Sequence, residues 1–475
     1  MYDLHLKSGL RDLTKFKNYI NRYYYGSWYL ISLLIITVCC WFYARADIAF
    51  GLILALITVI LITSEDITPV IPAFLILPCI FPPGATIQAY LPILPLSVPA
   101  ILAIIYHLIK YRRKFDKGEM FYPLMVVSIA LIFGGLGKTS SEEYSYALGT
   151  TLLLGVGVWF IYTIFNNYTS CFKGFKVYFS KSILIIGVTI ATELFIFMFT
   201  RNVPFYDVTH DEIQLGALIS NNVATILLLT APFTVYLALK QKFNVVYLIL
   251  SVFQYAAVFF TYSRGGMLFS VLTMPFIYIY YFYKTEHKGS FILFVLACLT
   301  FFLAIYFSFR KDFDTIFGRI LIFEDGHLSE SSIIRFKLFK EAWDAFCSNP
   351  LFGRGLGFQG FEHQQEQINF YWFHSTFFQV IGSLGLFGLA CYVYYYYARF
   401  KIVFTNIKKE PFNFFVLMAF IGFEGYSMMD TGTFIPMPMM MTVILMTMAV
   451  EKSNKQALKE ETEKAFAAAA QPICN

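Results

Sequence analysis

Residues 291–308 read FILFVLACLTFFLAIYFS, eighteen consecutive positions without a charged side chain. A membrane-crossing helix needs about 20 mostly apolar residues, so this run is long enough to count as a span. Working outward from it, the chain shows thirteen more such runs. They are 27–44, 48–63, 67–83, 91–109, 122–137, 145–165, 183–200, 215–238, 244–262, 266–283, 372–397, 412–429 and 433–450. The run at 67–83 carries Pro69, Pro72, Pro78 and Pro82, and only Ser64, Glu65 and Asp66 part it from its predecessor. Those two runs can also be read as a re-entrant pair, which leaves twelve spans. Both counts are even, so the later topology is the same.

Composition agrees with the runs. Of 475 residues, 58% are hydrophobic, 19% aromatic and 14% charged, against about 25% charged in a soluble domain. The mean hydropathy is +0.63. These values exclude a secreted globular enzyme, a nucleic-acid binder and a disulfide scaffold. A net charge of +6 is too small to argue for nucleic acid. The eight cysteines show no CxxC or Cys/His spacing, and most lie inside apolar runs, where Cys acts as a small hydrophobe. The expected fold is an all-α polytopic membrane protein of 12–14 transmembrane helices.

Orientation follows from Lys and Arg in the connections. With the N-terminus in the cytoplasm, inward segments hold 25 basic residues and outward segments 11, seven of the latter in the single loop 309–371. The first apolar run has no small-residue cleavage site behind it and reads as a retained span. The expected layout is a cytoplasmic N-terminus (1–26), a transmembrane bundle (27–308), an extracytoplasmic loop (309–371), C-terminal transmembrane helices (372–450) and a cytoplasmic tail (451–475). That is a multi-pass membrane protein with both termini inside.

The polar chemistry gathers at four outward places: 201–214 with the head of the next run, the Ser263-Arg264-Gly265-Gly266 turn, the loop 309–371, and the Asp430-Thr431-Gly432 turn. A loop of this length is too long for a plain connector. Within it, Ser331 to Cys347 has the pattern of an amphipathic helix that Asn349-Pro350 stops. Gly353, Gly355, Gly357 and Gly360 follow around Arg354. That stretch is either a backbone cradle for an anion or a set of turns. Arg264 is either an interfacial anchor or a functional cation, and His374 either belongs to an aromatic belt or works as a base. Glu193 and Glu424, inside apolar runs, should face the bundle interior.

These places, in this order, resemble the bacterial O-antigen ligase and polysaccharide polymerase superfamily. The most specific region holds Arg335, Trp343, Asn349-Pro-Leu-Phe-Gly-Arg-Gly-Leu-Gly-Phe, His374-Ser-Thr-Phe-Phe-Gln and Gly382-Ser-Leu-Gly-Leu-Phe-Gly-Leu. Ser263-Arg264-Gly265-Gly266 is a second match, and Gly216-Ala-Leu-Ile-Ser-Asn-Asn-Val-Ala a weaker third. The resemblance covers about 170 residues; the first 200 match in hydropathy alone. Ser375 stands where many members have Asn.

The resemblance implies a glycosyltransferase that moves a glycan from undecaprenyl diphosphate to an acceptor sugar hydroxyl on the outer face. The acceptor would be a second lipid-linked glycan (a polymerase, toward which the reading leans slightly) or a lipid A core (a ligase). Other partners would be membrane lipids, with no nucleic acid. A diphosphate leaving group needs cations, and a preorganised Arg pair can supply them without a metal. Arg264 and Arg335 are the first candidates, with Arg201 and Arg354 in reserve. The acceptor hydroxyl needs a general base, His374, which Asp430 would orient. Asn222 and Trp343 complete the expected substrate contacts. Asp312-Phe-Asp314 offers too few oxygen ligands for a hard cation, and no cofactor or metal is expected. Two competing classes remain: a lipid-linked glycan flippase using Glu193 and Glu424, and a scaffold subunit. No internal repeat favours the flippase.

Overall fold

The computed structural model describes residues 22–83, 87–201, 208, 212–216, 218–241, 245–310, 314, 323–324, 327–328, 330–360, 371–430 and 432–469. Residues 1–21, much of the loop 309–371 (with Asp312, His363 and Phe370), His210 and Thr431 lie outside the described residues.

Sixteen α-helices carry the architecture among those residues: α1 Ser27–Phe42, α2 Ala46–Thr63, α3 Val70–Ile76, α4 Val98–Lys110, α5 Phe121–Phe133, α6 Ser141–Leu152, α7 Val158–Tyr168, α8 Phe175–Thr200, α9 Ser220–Lys240, α10 Val245–Phe260, α11 Arg264–Lys284, α12 Lys288–Ser308, α13 Glu330–Ser348, α14 Thr376–Phe404, α15 Pro411–Ser427 and α16 Met441–Ala469. Two-residue strand pairs at 214–219 and 323–328 are the described β-structure. Eight helices are long and apolar enough to cross a bilayer, and shorter apolar helices accompany them. The chain is an all-α polytopic membrane protein.

Burial sorts the helices by what surrounds them. The opening run, α12, buries only Phe291, so its apolar surface faces outward nearly all round. That is the lipid-facing solution for a helix without a polar side. At the opposite extreme, α9 is buried from Ser220 to Ala238 at every position except Asn222. It is the central post, packed against α8, α10, α11 and α15. Its interior is knitted by polar side chains: Thr230 donates to Gln254 Oε1 at 2.8 Å, and Gln254 Nε2 donates to Thr234 at 2.9 Å. Such side-chain bonds hold helices together where lipid provides no hydrophobic drive.

The run at 67–83 does not turn back. The Ile67 N–H donates to Tyr168 O at the foot of α7, while Phe81 lies against Gly216 in the turn just before α9. These contacts belong to opposite ends of the bundle, so the short α3 and the tighter helical turn Leu77–Ile80 that follows it connect them.

Arg399 corrects the charge count used for orientation. Placed by sequence in an inward loop, it is fully buried inside α14. Its Nη2 meets Glu424 Oε1 of α15 at 2.5 Å, and its guanidinium lies 4.7 Å from the Phe420 ring centroid. Glu424 also accepts from Tyr396 at 2.9 Å and Thr433 at 3.4 Å. An Arg this deep persists because a carboxylate and aromatic faces surround it. Glu193 is buried as its position in an apolar run implies, and its Oε1 has no hydrogen-bond partner.

Candidate active site

One end of the bundle gathers the starts of α9, α11 and α14, the end of α15, and α13. The Ser263 hydroxyl caps α11, accepting from Gly266 N–H at 3.4 Å. That fixes the helix start on the residue before Arg264 and leaves Arg264 at the first helical position. Gly265 is required by close approach, since a Cβ there would lie 2.3 Å from Tyr426 Cε2. The head of α11 is therefore seated directly on the end of α15.

A hydrogen-bonded chain runs across this junction. The Ser263 hydroxyl is 3.0 Å from Asn221 Oδ1 and 3.1 Å from the Tyr426 hydroxyl. Asn221 Nδ2 donates to Asp430 Oδ2 at 2.9 Å, and the Tyr426 hydroxyl lies 3.4 Å from that same oxygen. The other carboxylate oxygen, Oδ1, stands 3.3 Å from His374 Nδ1. The ring N–H is not aligned for a full hydrogen bond, so the contact is electrostatic, at a distance small reorientations would close. The Asp430 side chain is 13% exposed and that of His374 39%. The carboxylate is thus sheltered while the imidazole stays open to an incoming group.

His374 is held by its backbone as well. Its φ of +49° lies in the left-handed region, uncommon for a side chain of this size. Gln379 of α14 supports that geometry. It accepts from Phe373 N–H at 2.9 Å and donates to Tyr371 O at 2.9 Å and Ser383 at 3.0 Å. A second clamp ties Tyr371 to α13, where its hydroxyl donates to Glu341. Leu338, Ala342 and Ala345 bury one face of α13 against this segment. Arg335, on the same helix, is half-buried and within Coulombic reach of Tyr426.

The Gly-rich stretch is a set of turns. Gly353 N–H donates to Asn349 O at 2.8 Å, Arg354 N–H to Gly382 O at 2.8 Å, and Gly355 N–H to Ser383 O at 2.9 Å. Those donors are occupied by protein, so they do not form an anion cradle. Gly353 and Gly385 both have φ +64°, and each lies where a Cβ would strike the backbone beside the other. Gly385 marks a break within α14.

The remaining sequence candidates fall elsewhere. Arg201 pairs with Glu212 at 2.5 Å and covers the Phe197 ring. Arg354 lies over Phe358, with Nη2 3.9 Å from Glu143. Trp343 is 52% exposed and packs on Phe346. Asn222 is half-buried on α9, while its neighbour Asn221 makes the carboxylate contact. Sequence reading missed Asn221, Tyr426 and Gln379. The doublet Asn221-Asn222 carries no sequence signal that separates the two, because α9 is buried on nearly every face. No three His, Cys, Asp or Glu side chains gather as a metal-ligand set among the described residues. Asp314 is paired with Arg310 at 3.6 Å.

The matched part of the chain supplies Ser263, Arg264, Arg335 and His374 to this site. Residues 245–393 match the family model described as O-antigen ligase. The chain carries an O-antigen ligase family domain. That domain supports a membrane glycosyltransferase of the ligase/polymerase type. The match takes in Arg264, Arg335, Trp343, Arg354 and His374, whereas Arg201, Asn221, Asn222 and Asp430 lie outside it. A search of curated proteins found no significant match.

Proposed function

We propose that this protein transfers a glycan from undecaprenyl diphosphate to an acceptor sugar hydroxyl, at the outer face of the bacterial inner membrane. The observation that carries the reading is the His374–Asp430 contact, set among the heads of α9, α11 and α14 with Arg264 and Arg335 on the flanking helices. The excess of Lys and Arg at the opposite end supports an outward-facing site.

In this reading Asp430 holds the Nδ1 side of the imidazole, which leaves Nε2 as the basic atom. Nε2 takes the proton of the acceptor hydroxyl as its oxygen attacks the anomeric carbon. The bond from that carbon to the diphosphate oxygen breaks, and the leaving group keeps the electron pair. Arg264 and Arg335 meet the charge that develops there, so no metal is required. The acceptor is a second lipid-linked glycan, making the protein a polymerase; a lipid A core acceptor would make it a ligase.

Arg264→Ala and His374→Ala test this in cells. Each should abolish polymer or ligated product while the lipid-linked precursor accumulates outside. Accumulation on the cytoplasmic face would favour a flippase instead. The structure lends that alternative little, because Glu424 is already paired with Arg399.

A further inference from the structure

The other end of the bundle holds a cavity of about 320 Å³ between the first turn of α8, the last turn of α9, the approach to α15, and α16. Its charged lining comes from Lys173, Lys176, Lys240, Glu410 and Glu460, with Ser453 and Gln456 beside them. All of these lie outside the matched residues 245–393. The 21 residues of α9 separate Lys240 from the Asn221 end, a length of about 30 Å at 1.5 Å per residue. This cavity and the His374 site are therefore independent.

Three features point to an anion. First, Lys176 is matched by Glu410 at 2.6 Å, but Lys173 and Lys240 have no ion pair among the described residues. Second, α8 begins here behind Gly174 at φ +96°, and no side chain caps it. An uncapped helix start favours negative charge. Third, Ser453 is buried and its hydroxyl has no partner among the described residues. In the same helix Thr442 and Thr447 donate to carbonyls four residues back, at 2.6 and 2.9 Å. A Ser in a helix ordinarily does the same, so an idle hydroxyl beside a cavity is a donor in want of an acceptor.

We propose that this cavity binds a phosphate-bearing anion between Lys173 and Lys240, with the Ser453 hydroxyl donating to it. The same chemistry is offered by the headgroup of an anionic lipid and by free phosphate. The cavity lies at the first turn of α8 and the last turn of α9, and Phe172 and Tyr236 wall it, which suits a headgroup with apolar substituents.

The full-length protein in detergent, examined by native mass spectrometry, separates these sources. Phosphatidylglycerol should be retained in preference to phosphatidylcholine. Lys173→Gln with Lys240→Gln, both exposed positions, should lower that retention by roughly tenfold. Ser453→Ala should lower it by about threefold. Displacement of the lipid by inorganic phosphate would support an anion site with a soluble occupant, and resistance to displacement would support the headgroup. Equal retention of phosphatidylglycerol by wild type and the double Lys variant, at unchanged melting temperature, would overturn the proposal. So would the absence of any preference over phosphatidylcholine.

Discussion

His374 Nδ1 lies 3.3 Å from Asp430 Oδ1, while Asn221 and Tyr426 both approach the other oxygen of that carboxylate. Asp430 is thus oriented from three sides, and it in turn orients an imidazole that remains partly open. A carboxylate beside Nδ1 favours the tautomer that carries its proton on that nitrogen. Asp430→Asn keeps the shape but offers Nδ1 an amide, and turnover should fall by about 10²-fold or more. Steady-state transfer by the purified variant checks this. Normal turnover would remove Asp430 from the mechanism.

The Asn221-Asn222 doublet separates two roles by one position. Asn221→Ala deletes the donor to Asp430 and the acceptor for Ser263. It should lower turnover by about tenfold, the effect of losing one hydrogen bond to a charged group. Asn222→Ala should leave the carboxylate's setting intact and change turnover far less. Parallel assays of the two variants measure the difference.

Gly265→Ala pushes a methyl to within 2.3 Å of the Tyr426 ring. The head of α11 must shift, carrying Arg264 with it. Activity should fall by well over tenfold, since small misplacements of positioning groups cost about 10²-fold. Tyr426→Phe supplies the control: it keeps the ring and removes only the hydroxyl, so its loss should be smaller.

Removing one partner of Arg399–Glu424 leaves a buried charge unpaired. Glu424→Leu should destabilise the fold by about 3–5 kcal/mol, read as a lower melting temperature in detergent. Arg399→Met with Glu424→Leu should recover much of that loss. A double variant as unstable as the sum of the single ones would refute the pairing.

The fold was legible because lipid imposes a coarse rule. A run such as 291–308 has only one compact solution, and α12 adopts it with Phe291 alone buried. The first-turn position of Arg264 and the junction at His374 were legible too, since both sit where apolar periodicity stops. Contacts between ends of distant helices were not. Asn221, Tyr426 and Asp430 meet because α9 and α15 pack side by side, and nothing local to any of the three encodes that. Arg399 misled for the opposite reason. At the edge of an apolar run, sequence cannot separate an interfacial cation from one turned inward onto Glu424. The glycines around Arg354 left both readings open until their N–H donors were traced to Gly382 and Ser383.

The central claim is that His374 acts as the base for glycan transfer beside Arg264 and Arg335. Its most direct test is transfer by the purified protein, supplied with a lipid-linked glycan donor and acceptor, comparing wild type with His374→Ala. The account predicts loss of transfer by about 10²–10⁴-fold, with the melting temperature kept and the donor still bound. Transfer by His374→Ala at the wild-type rate would contradict it.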